Sequence, residues 1–257
     1  MFTNTNLDKL KQIMAESDEH ADAIGSLIAA QKESVGAIIH EIRNPLTLVY
    51  SSLQLIESSH PEVYTFRHWD ALHHDVLYMM QLLTDLSSYN NSLSLHKKAL
   101  NTTAFIKQLV LSFAASSEVS DIEFTSYIAP ALPSVQADAP KLKEALMNLL
   151  KNAFEACPSG AAGSVRLEAD TITPTAQNDT YLRIRIQDTG CGIPSERIKD
   201  IFTPYVTYKT GGTGLGLPLT KRIVEAHNGT LTVTSEAETG TTFTLLIPVR
   251  SGSPDTE

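Results

Sequence analysis

The chain has 257 residues, of which 42% are hydrophobic, and this is enough for about two domains with buried cores. Acidic residues outnumber basic ones by 29 to 20, and the formal net charge of −9 argues against a dedicated nucleic-acid binder, which usually carries a basic face. The two cysteines, the absence of an apolar run near the roughly 20 residues that span a bilayer, and the absence of a signal-peptide pattern predict a cytoplasmic chain or a soluble piece of a longer protein.

A heptad pattern predicts a long helix at the start of the chain. With Leu7 at position a, every a position up to Ile56 is apolar, whereas the d positions are mixed and include Ser17 and Gln31. A repeat of this length is typical of a coiled coil or a long helical bundle. The pattern therefore predicts a coiled-coil lead-in helix over residues 1–33.

His40 falls at position f, on the outer face of this predicted helix, next to Glu41. An exposed histidine is usually no more than a solvated side chain. Here, however, Pro45 follows inside the helical pattern, and a proline in a helix interior costs about 3 kcal/mol and kinks the helix. We therefore predict a hinge close to an exposed imidazole, through which movement of the helix could control access to His40.

A second helix is predicted over about residues 62–89, after a break at residues 58–61. Two consecutive helices with a short connection form a hairpin. One hairpin buries little core by itself. Residues 34–94 are therefore predicted to pair with a second copy in a dimeric four-helix bundle.

Residues 95–250 alternate between strand and helix patterns and predict an α/β sandwich, with a disordered tail over residues 251–257. The predicted strands cover residues 95–101, 121–128, 164–171, 181–187, 230–235 and 241–249. The predicted helices cover residues 139–156 and 217–227 and a segment that Thr102 or Thr103 caps and that reaches about residue 116.

Two polar patterns in this sandwich could bind a ligand. Asn148 and Asn152 share one face of a predicted helix, in which asparagine is unfavourable, so they indicate side chains that reach a ligand or a metal; ordinary polar surface is the alternative. Asp188 ends a predicted strand and precedes Gly190 and Gly192. A carboxylate there can accept a hydrogen bond while the glycines leave space, or the segment is only a tight turn.

A glycine-rich loop at residues 211–218 opens the last predicted helix. Backbone N–H groups and the helix dipole at such a position favour phosphate. The alternative interpretation is a flexible hinge in front of a surface helix.

Five motifs together resemble the catalytic core of bacterial two-component sensor histidine kinases. Residues 40–47 (HEIRNPLT) resemble the H-box, 148–152 the N-box, 188–192 the first glycine box, 202–205 the F-box and 212–216 the second glycine box. They follow the family's order over nearly all of residues 30–250. The short lid and the H-box are most similar to those of nitrogen-regulation and sporulation-type kinases.

The resemblance implies a dimeric phosphoacceptor hairpin followed by an ATP-binding domain of the gyrase–Hsp90–kinase type. It implies that Nε2 of His40 attacks ATP, that Glu41 accepts a proton, and that the phosphoryl group moves to an aspartate of a separate response regulator. Asn44 matches a phosphatase motif of the family. The implied ATP-binding residues are Asn148, Lys151, Asn152, Asp188, Gly190, Gly192, Phe202, Lys209, Gly212, Thr213, Gly214, Leu215 and Gly216, with Mg²⁺ on Asn152.

Two other functions fit parts of the sequence. A catalytically silent scaffold could bind a response regulator through the hairpin, but silent relatives typically lose the glycine boxes that are complete here. A gyrase- or Hsp90-like ATPase would share the sandwich, but its N-box begins with a glutamate that activates water. The asparagine at position 148 favours transfer to histidine over hydrolysis.

Overall fold

The computed structural model describes residues 17–92, 94–115, 122–157, 163–174, 179–209 and 211–249. The chain divides into two compact units between Asn91 and Ser92. The predicted heptads before residue 17 and the predicted tail over residues 251–257 lie outside the described residues. Within the described ranges, no helix is long and apolar enough to cross a lipid bilayer.

The first unit is an antiparallel helical hairpin. Helix α1 (Asp18–Ser59) leads through a short 3-10 helix (Pro61–Thr65) into helix α2 (Trp69–Asn91). At one end Trp69 Nε1 donates a hydrogen bond of 3.1 Å to Glu57, and at the other end Asn90 Nδ2 donates one of 2.8 Å to the carbonyl of Lys32. The first bond joins the beginning of α2 to the end of α1, and the second joins the end of α2 to the first half of α1, which is the pairing expected of an antiparallel hairpin.

The hairpin differs from the prediction at the start of its second helix. The predicted helix over residues 62–89 is interrupted, because His68 takes a φ of 74° and α2 begins only at Trp69. Helix α1, in contrast, continues through Pro45 as one helix of 42 residues. The predicted hinge at Pro45 stays a prediction.

The buried seam of the hairpin is not the apolar a stripe of the heptads. Leu46 and Leu53, which occupy position e, pack against Val76 of α2. Except for half-buried Val35, the a-position side chains whose burial is described are instead exposed, because they point away from this seam. Their exposed fractions are 51% for Ile28, 49% for Ile42, 47% for Val49 and 40% for Ile56.

The second unit is an α/β sandwich with one main sheet and one small sheet. Its strands are β1 (Lys98–Leu100), β2 (Ile122–Ile128), β3 (Val135–Ala137), β4 (Gly163–Ile172), β5 (Tyr181–Asp188), β6 (Thr230–Glu236) and β7 (Gly240–Pro248). Its helices are α3 (Thr102–Ala114), α4 (Ala139–Ala156) and α5 (Gly216–Ala226).

The main sheet has the strand order β2-β4-β5-β7-β6. The pair β2–β4 is parallel, and the other neighbours in this sheet are antiparallel. Strands β1 and β3 form a separate antiparallel pair. The predicted alternation holds in β5, where Leu182, Ile184 and Ile186 are fully buried, so one face of the sheet is covered.

Helix α4 forms the centre of the core on that covered face. Leu142, Leu146, Leu149 and Leu150 are fully buried and belong to the same cluster as the inward side chains of the sheet. Their spacing of three and four residues leaves the opposite face of α4 free for polar side chains. The core therefore fixes the rotation of α4 and, with it, the direction in which its asparagines point.

Three predicted element boundaries need correction. The N-cap of α3 is Asn101 rather than Thr102 or Thr103, because its side chain accepts a hydrogen bond of 3.0 Å from the N–H of Ala104. Helix α5 begins at Gly216, one residue earlier than predicted. The strand predicted over residues 95–101 is shorter, since β1 covers only Lys98–Leu100. Strand β3 was not predicted at all.

Candidate functional site

Asn148 connects helix α4 to the start of helix α5. Its Nδ2 donates a hydrogen bond of 2.8 Å to Oγ1 of Thr220, which is completely buried. A Cβ atom at Gly216 would lie 2.5 Å from Oδ1 of Asn148, so only glycine allows α5 to begin this close to α4. Asn148 is therefore an anchor between the two helices.

Asn152 lies one turn further along α4 and binds a cationic group. The ammonium group of Lys209 donates a hydrogen bond of 2.8 Å to Oδ1 of Asn152 and another of 2.5 Å to Oε2 of Glu155. The two oxygens are three residues apart on α4 and so lie on one face of the helix. They form a small oxygen-lined position that accepts a positive charge.

Asp188 ends strand β5 and is 5% exposed. Its Oδ1 accepts hydrogen bonds from the backbone N–H groups of Gly190, at 2.9 Å, and Thr241, at 3.2 Å. Oδ2 accepts no hydrogen bond from the described residues. Burial raises the pKa of this carboxyl, and the two N–H groups and the charge of Lys209 oppose the increase. Asp188 is thus a fixed acceptor with one oxygen available to a donor.

Gly190 and Gly192 make room for the chain's own backbone. A Cβ atom at Gly190 would lie 2.5 Å from the carbonyl oxygen of Ala156, and one at Gly192 would overlap the carbonyl of Glu236. Gly192 also has a φ of 65°, which side-chain-bearing residues rarely adopt. The two glycines therefore bring the turn after β5 against the end of α4 and against β6.

The glycine-rich loop folds back on the preceding segment. The N–H of Tyr205 donates a hydrogen bond of 3.0 Å to the carbonyl of Gly214, and a Cβ atom at Gly214 would lie 2.6 Å from the backbone of Tyr205. Thr213 Oγ1 accepts a hydrogen bond of 3.3 Å from the N–H of Leu215, which is buried. Gly212 similarly approaches Thr207, whose Oγ1 would lie 2.5 Å from an added Cβ atom.

Two of the predicted ATP-binding residues lie less directly at this site. Phe202 is half-buried and packs against the main core, and the ammonium group of Lys221 lies 5.2 Å from the centre of its ring. Lys151 is exposed on α4 and forms no hydrogen bond or ion pair with another described residue. Phe202 therefore supports the site through its packing on the core, whereas no described residue fixes the position of the Lys151 side chain.

His40 belongs to the other unit and is exposed on α1. Its Nδ1 lies 3.4 Å from Nδ2 of Asn44, one turn along the helix. Glu41 is also exposed and forms no hydrogen bond with a described residue. The imidazole is thus contacted on its Nδ1 side, and its Nε2 contacts no polar atom of the described chain.

Three residues of this site were missed by the sequence analysis. Glu155 shares the bound ammonium group with Asn152, Thr220 holds Asn148, and the N–H of Thr241 holds Asp188. Glu155 could have been found from its spacing of three residues from Asn152. Thr220 and Thr241 could not, because a distant helix and strand bring them to the site.

Comparisons with known proteins place both units in one family. Residues 137–251 match the family described as histidine kinase-, DNA gyrase B-, and HSP90-like ATPase. Signal transduction histidine-protein kinase AtoS of Escherichia coli K12 is 28% identical over 222 residues, 86% of this chain and 35% of AtoS. Sensor histidine kinase ZraS of the same strain is 31% identical over 249 residues, 94% of this chain and 49% of ZraS.

The fold also matches that of a solved structure. The crystal structure of full-length ShkA, in complex with AMPPNP, covers 86% of this chain with a TM-score of 0.67 at 23% identity, and 47% of ShkA is matched. The chain spans about half or less of the length of the curated relatives described above. The ATPase-family match over the sandwich and the similarity to AtoS and ZraS across both units support a sensor histidine kinase catalytic core in this chain.

Proposed function

We propose that the chain is an ATP-dependent histidine autokinase that phosphorylates His40. The phosphoryl group then passes to an aspartate in the receiver domain of a separate response regulator. The observation that carries this proposal is the exposed imidazole of His40, whose Nε2 contacts no polar atom of the described chain. An imidazole in this position can act as a nucleophile toward a phosphoryl group.

The contact between His40 and Asn44 has a chemical use in this reaction. If the amide of Asn44 turns its oxygen toward Nδ1, it accepts a hydrogen bond from the Nδ1–H group and so favours the tautomer with the lone pair on Nε2. Nε2 attacks the γ-phosphorus, the bond to the bridging oxygen breaks, and ADP leaves with the electron pair. The Nδ1 proton passes to a base, a role for which we propose Glu41, one residue along the same helix.

The sandwich supplies the nucleotide site in this proposal. Oδ2 of Asp188 would accept a hydrogen bond from the exocyclic amine of adenine, and the backbone N–H groups around Gly212, Gly214 and Gly216 would contact the phosphates. The oxygen-lined position formed by Asn152 and Glu155 already accepts an ammonium group, and amide and carboxylate oxygens are ligands that suit Mg²⁺. When bound, Mg²⁺ neutralises phosphate charge during transfer.

Lys209 would change partners when the nucleotide binds. Its ammonium group now neutralises Glu155 and contacts Asn152. Phosphate oxygens are stronger competitors for a lysine than an exposed carboxylate, so Lys209 would move to the phosphates and free Asn152 for the metal. The exchange keeps the local charge balanced.

Incubation with γ-labelled ATP and Mg²⁺ tests the autokinase. We expect label on the wild type in an acid-labile, base-stable bond, and none on His40→Gln. His20→Gln is the matched control, because His20 is an exposed histidine on the same helix and should keep full labelling. Label of this type on His40→Gln would overturn the assignment of the phosphoacceptor.

Absence of label from the wild type would favour the silent scaffold. This alternative also requires binding of a response regulator through the hairpin. A binding experiment with ATP and with a receiver domain separates the two cases: a scaffold binds the receiver domain but transfers no phosphoryl group.

A second activity, dephosphorylation of the regulator, is favoured by the position of Asn44. Its amide lies on the exposed helix face beside His40, where it could position a water molecule. Asn44→Ala should slow the loss of label from a phosphorylated receiver domain, whereas Gln54→Ala, an exposed amide on the same helix, should not. An unchanged rate in Asn44→Ala would reject the phosphatase role.

A further inference from the structure

The two cysteines of the chain lie next to each other at the edge of the site. Cys157 caps helix α4 and is buried, whereas Cys191 is exposed in the turn between Gly190 and Gly192. The N–H of Cys191 donates a hydrogen bond of 3.0 Å to the carbonyl of Ala156, the residue before Cys157. A backbone hydrogen bond to the residue before Cys157 thus brings the two cysteines close together, although they are 34 positions apart in the sequence.

This contact fixes how far apart the cysteines are. Standard bond lengths on either side of the hydrogen bond place the two Cα atoms roughly 5–7 Å apart, and disulfides take Cα separations of about 4.4–6.8 Å. The contact is close because Gly190 has no Cβ atom, which would lie 2.5 Å from the same carbonyl. The turn cannot move closer, and the separation of the two Cα atoms lies within the range that a disulfide takes.

Both cysteines also lie beside Asp188. Burial, and after it the charge of Asp188, raises the pKa of the Cys157 thiol. Cys191 is three residues after Asp188, and its own carbonyl accepts a hydrogen bond of 2.9 Å from the N–H of Glu238. A covalent bond between the sulfurs would therefore act on the turn that holds the proposed adenine acceptor.

We propose that Cys157 and Cys191 form a reversible disulfide when the protein meets a peroxide, and that this disulfide weakens nucleotide binding. The first half concerns only the two thiols. The second half rests on the proposed function, because it assumes that Asp188 contacts the base.

The different exposure of the two sulfurs sets the order of events. Burial raises the pKa of the Cys157 thiol, and the charges of Asp188 and Cys191 add to the increase, so Cys157 is the poorer first nucleophile. The sulfur of Cys191 attacks one peroxide oxygen, the O–O bond breaks, and a sulfenic acid and water are formed. The sulfur of Cys157 then attacks the sulfenic sulfur, the S–O bond breaks, and the departing hydroxide takes the thiol proton to give a second water.

Formation of the disulfide should rearrange the turn that carries Asp188. To bond with Cys191, Cys157 must give up its hydrogen bond of 3.4 Å to the carbonyl of Ala153 and rotate toward the turn. The turn is held on both sides of Cys191, by Ala156 and by Glu238, and cannot follow freely. The adjustment therefore falls on residues 188–190, which include the acceptor carboxylate.

Peroxide treatment followed by mass spectrometry tests the disulfide directly. The protein is treated with hydrogen peroxide, free thiols are alkylated, and the digest is mapped without reductant. We expect a peptide that links Cys157 to Cys191 within one chain and no disulfide between chains. Dithiothreitol should reverse the link completely. Because the sequence holds only two cysteines, an intramolecular disulfide can join no other pair.

Two single variants serve as controls. In Cys191→Ser, Cys157 should stay reduced and alkylatable after unfolding, because it is buried. In Cys157→Ser, Cys191 should accumulate as sulfenic or sulfinic acid or link two chains. Sulfinic acid on Cys191 of the wild type with Cys157 still reduced would overturn the proposal.

Titration with a fluorescent ATP analogue then tests the consequence. The oxidised wild type should bind about tenfold more weakly than the reduced protein, a change of about 1.4 kcal/mol, and peroxide should leave the affinity of Cys191→Ser unchanged. A linked protein with undiminished affinity would overturn the second half of the proposal. A reduced protein that binds no nucleotide would instead reject the proposed function, and the mass spectra would still decide the disulfide.

Discussion

The hairpin and the sandwich differ in how far each completes its own core. The sandwich buries a continuous cluster in which all four leucines of the inner face of α4 are fully inaccessible. The hairpin has a cluster with three buried side chains, Leu46, Leu53 and Val76, and several partly buried ones packed against them, and it leaves most of the described a-position side chains about half exposed. One unit is closed, whereas the other presents an apolar stripe.

The difference indicates how the two units obtain their stability. Apolar area removed from water contributes about 25 cal/mol per Å², so the sandwich gains most of its stability within one chain. The exposed stripe of Ile28, Ile42, Val49 and Ile56 can make the same contribution only in contact with another surface. We propose that this surface is the same stripe of a second copy, as in a dimeric four-helix bundle.

The largest effect should come from a cavity in the closed unit. Leu146→Ala removes a fully buried side chain from the centre of the sandwich and should lower its free energy of unfolding by about 2–5 kcal/mol. Denaturant unfolding, monitored in the sandwich, measures the change. Leu111→Ala is the control, because Leu111 is 70% exposed and should change stability by less than about 0.5 kcal/mol.

A substitution in the apolar stripe of the hairpin should change dimerisation rather than the unfolding of a single chain. Ile42→Asp places a charge in the apolar stripe, and a charge buried at an interface is costly, so the dimer should weaken by more than about tenfold. Light scattering coupled to size exclusion measures the molecular mass over a range of concentrations.

Gln54→Asp is the matched control for this variant. Gln54 is exposed on the same helix at position f, outside the stripe, so the same charge should leave the mass unchanged. If Ile42→Asp kept the mass of the wild type, the stripe would not be the dimer interface.

The histidines of the two units should differ in their effect on stability with pH. His227 is 2% exposed; its Nδ1–H donates to the carbonyl of Ile223 and its Nε2 accepts the N–H of Asp138, so the structure needs the neutral ring. Burial lowers the pKa of His227 below its usual value, and the nearby charge of Lys97 contributes. A lowered pKa means that its stabilisation is complete above the unfolded pKa of about 6.5 and is lost as the pH falls through the folded value.

Unfolding measured between pH 7.5 and pH 5 tests this expectation. The sandwich of the wild type should lose stability over this range, and His227→Gln should lose less, because the amide oxygen of glutamine accepts the same N–H without titrating. His20→Gln, an exposed site in the hairpin, should follow the wild type. Equal slopes in the wild type and His227→Gln would reject a role for this histidine.

Local patterns predicted much of the fold, and pairs distant in sequence account for most of what they missed. Helix α4 was predicted with its observed bounds because its leucines repeat at helical spacing and Pro140 marks its first turn. The heptads predicted a long helix but not which stripe packs on α2, because a repeat shows that a face is apolar and does not say what covers it.

The candidate site shows the same division. The asparagines, Asp188 and the glycine loop were predicted from their residue types, and their proposed roles in ATP binding came from the family resemblance. The partners that hold them, Thr220 for Asn148 and Thr241 for Asp188, lie 72 and 53 residues away and follow only from the packing of α5 and β7. The contact between Lys209 and Glu155 could not be predicted either, since it depends on the path of the segment that carries Lys209.

The smallest effect on stability should come from Asp188, a site residue whose buried charge destabilises the sandwich. Burial raises the pKa of Asp188, so at neutral pH the folded unit carries a carboxylate charge that it disfavours. A carboxyl whose pKa is raised by folding stabilises the folded state below its unfolded pKa, and this stabilisation is lost as the pH rises through its folded pKa. Asp188→Asn keeps an oxygen for the N–H groups of Gly190 and Thr241 and removes the charge, so it should stabilise the unit by about 1 kcal/mol at pH 7.

Asp170→Asn provides the comparison with opposite sign. Hydrogen bonds from Arg183, at 2.8 and 2.5 Å, lower the pKa of Asp170, so removing its charge should reduce stability at pH 7. Only Asp188→Asn should also weaken nucleotide binding, because the amide offers a donor where adenine needs an acceptor. A less stable Asp188→Asn protein would show instead that the carboxylate stabilises the fold.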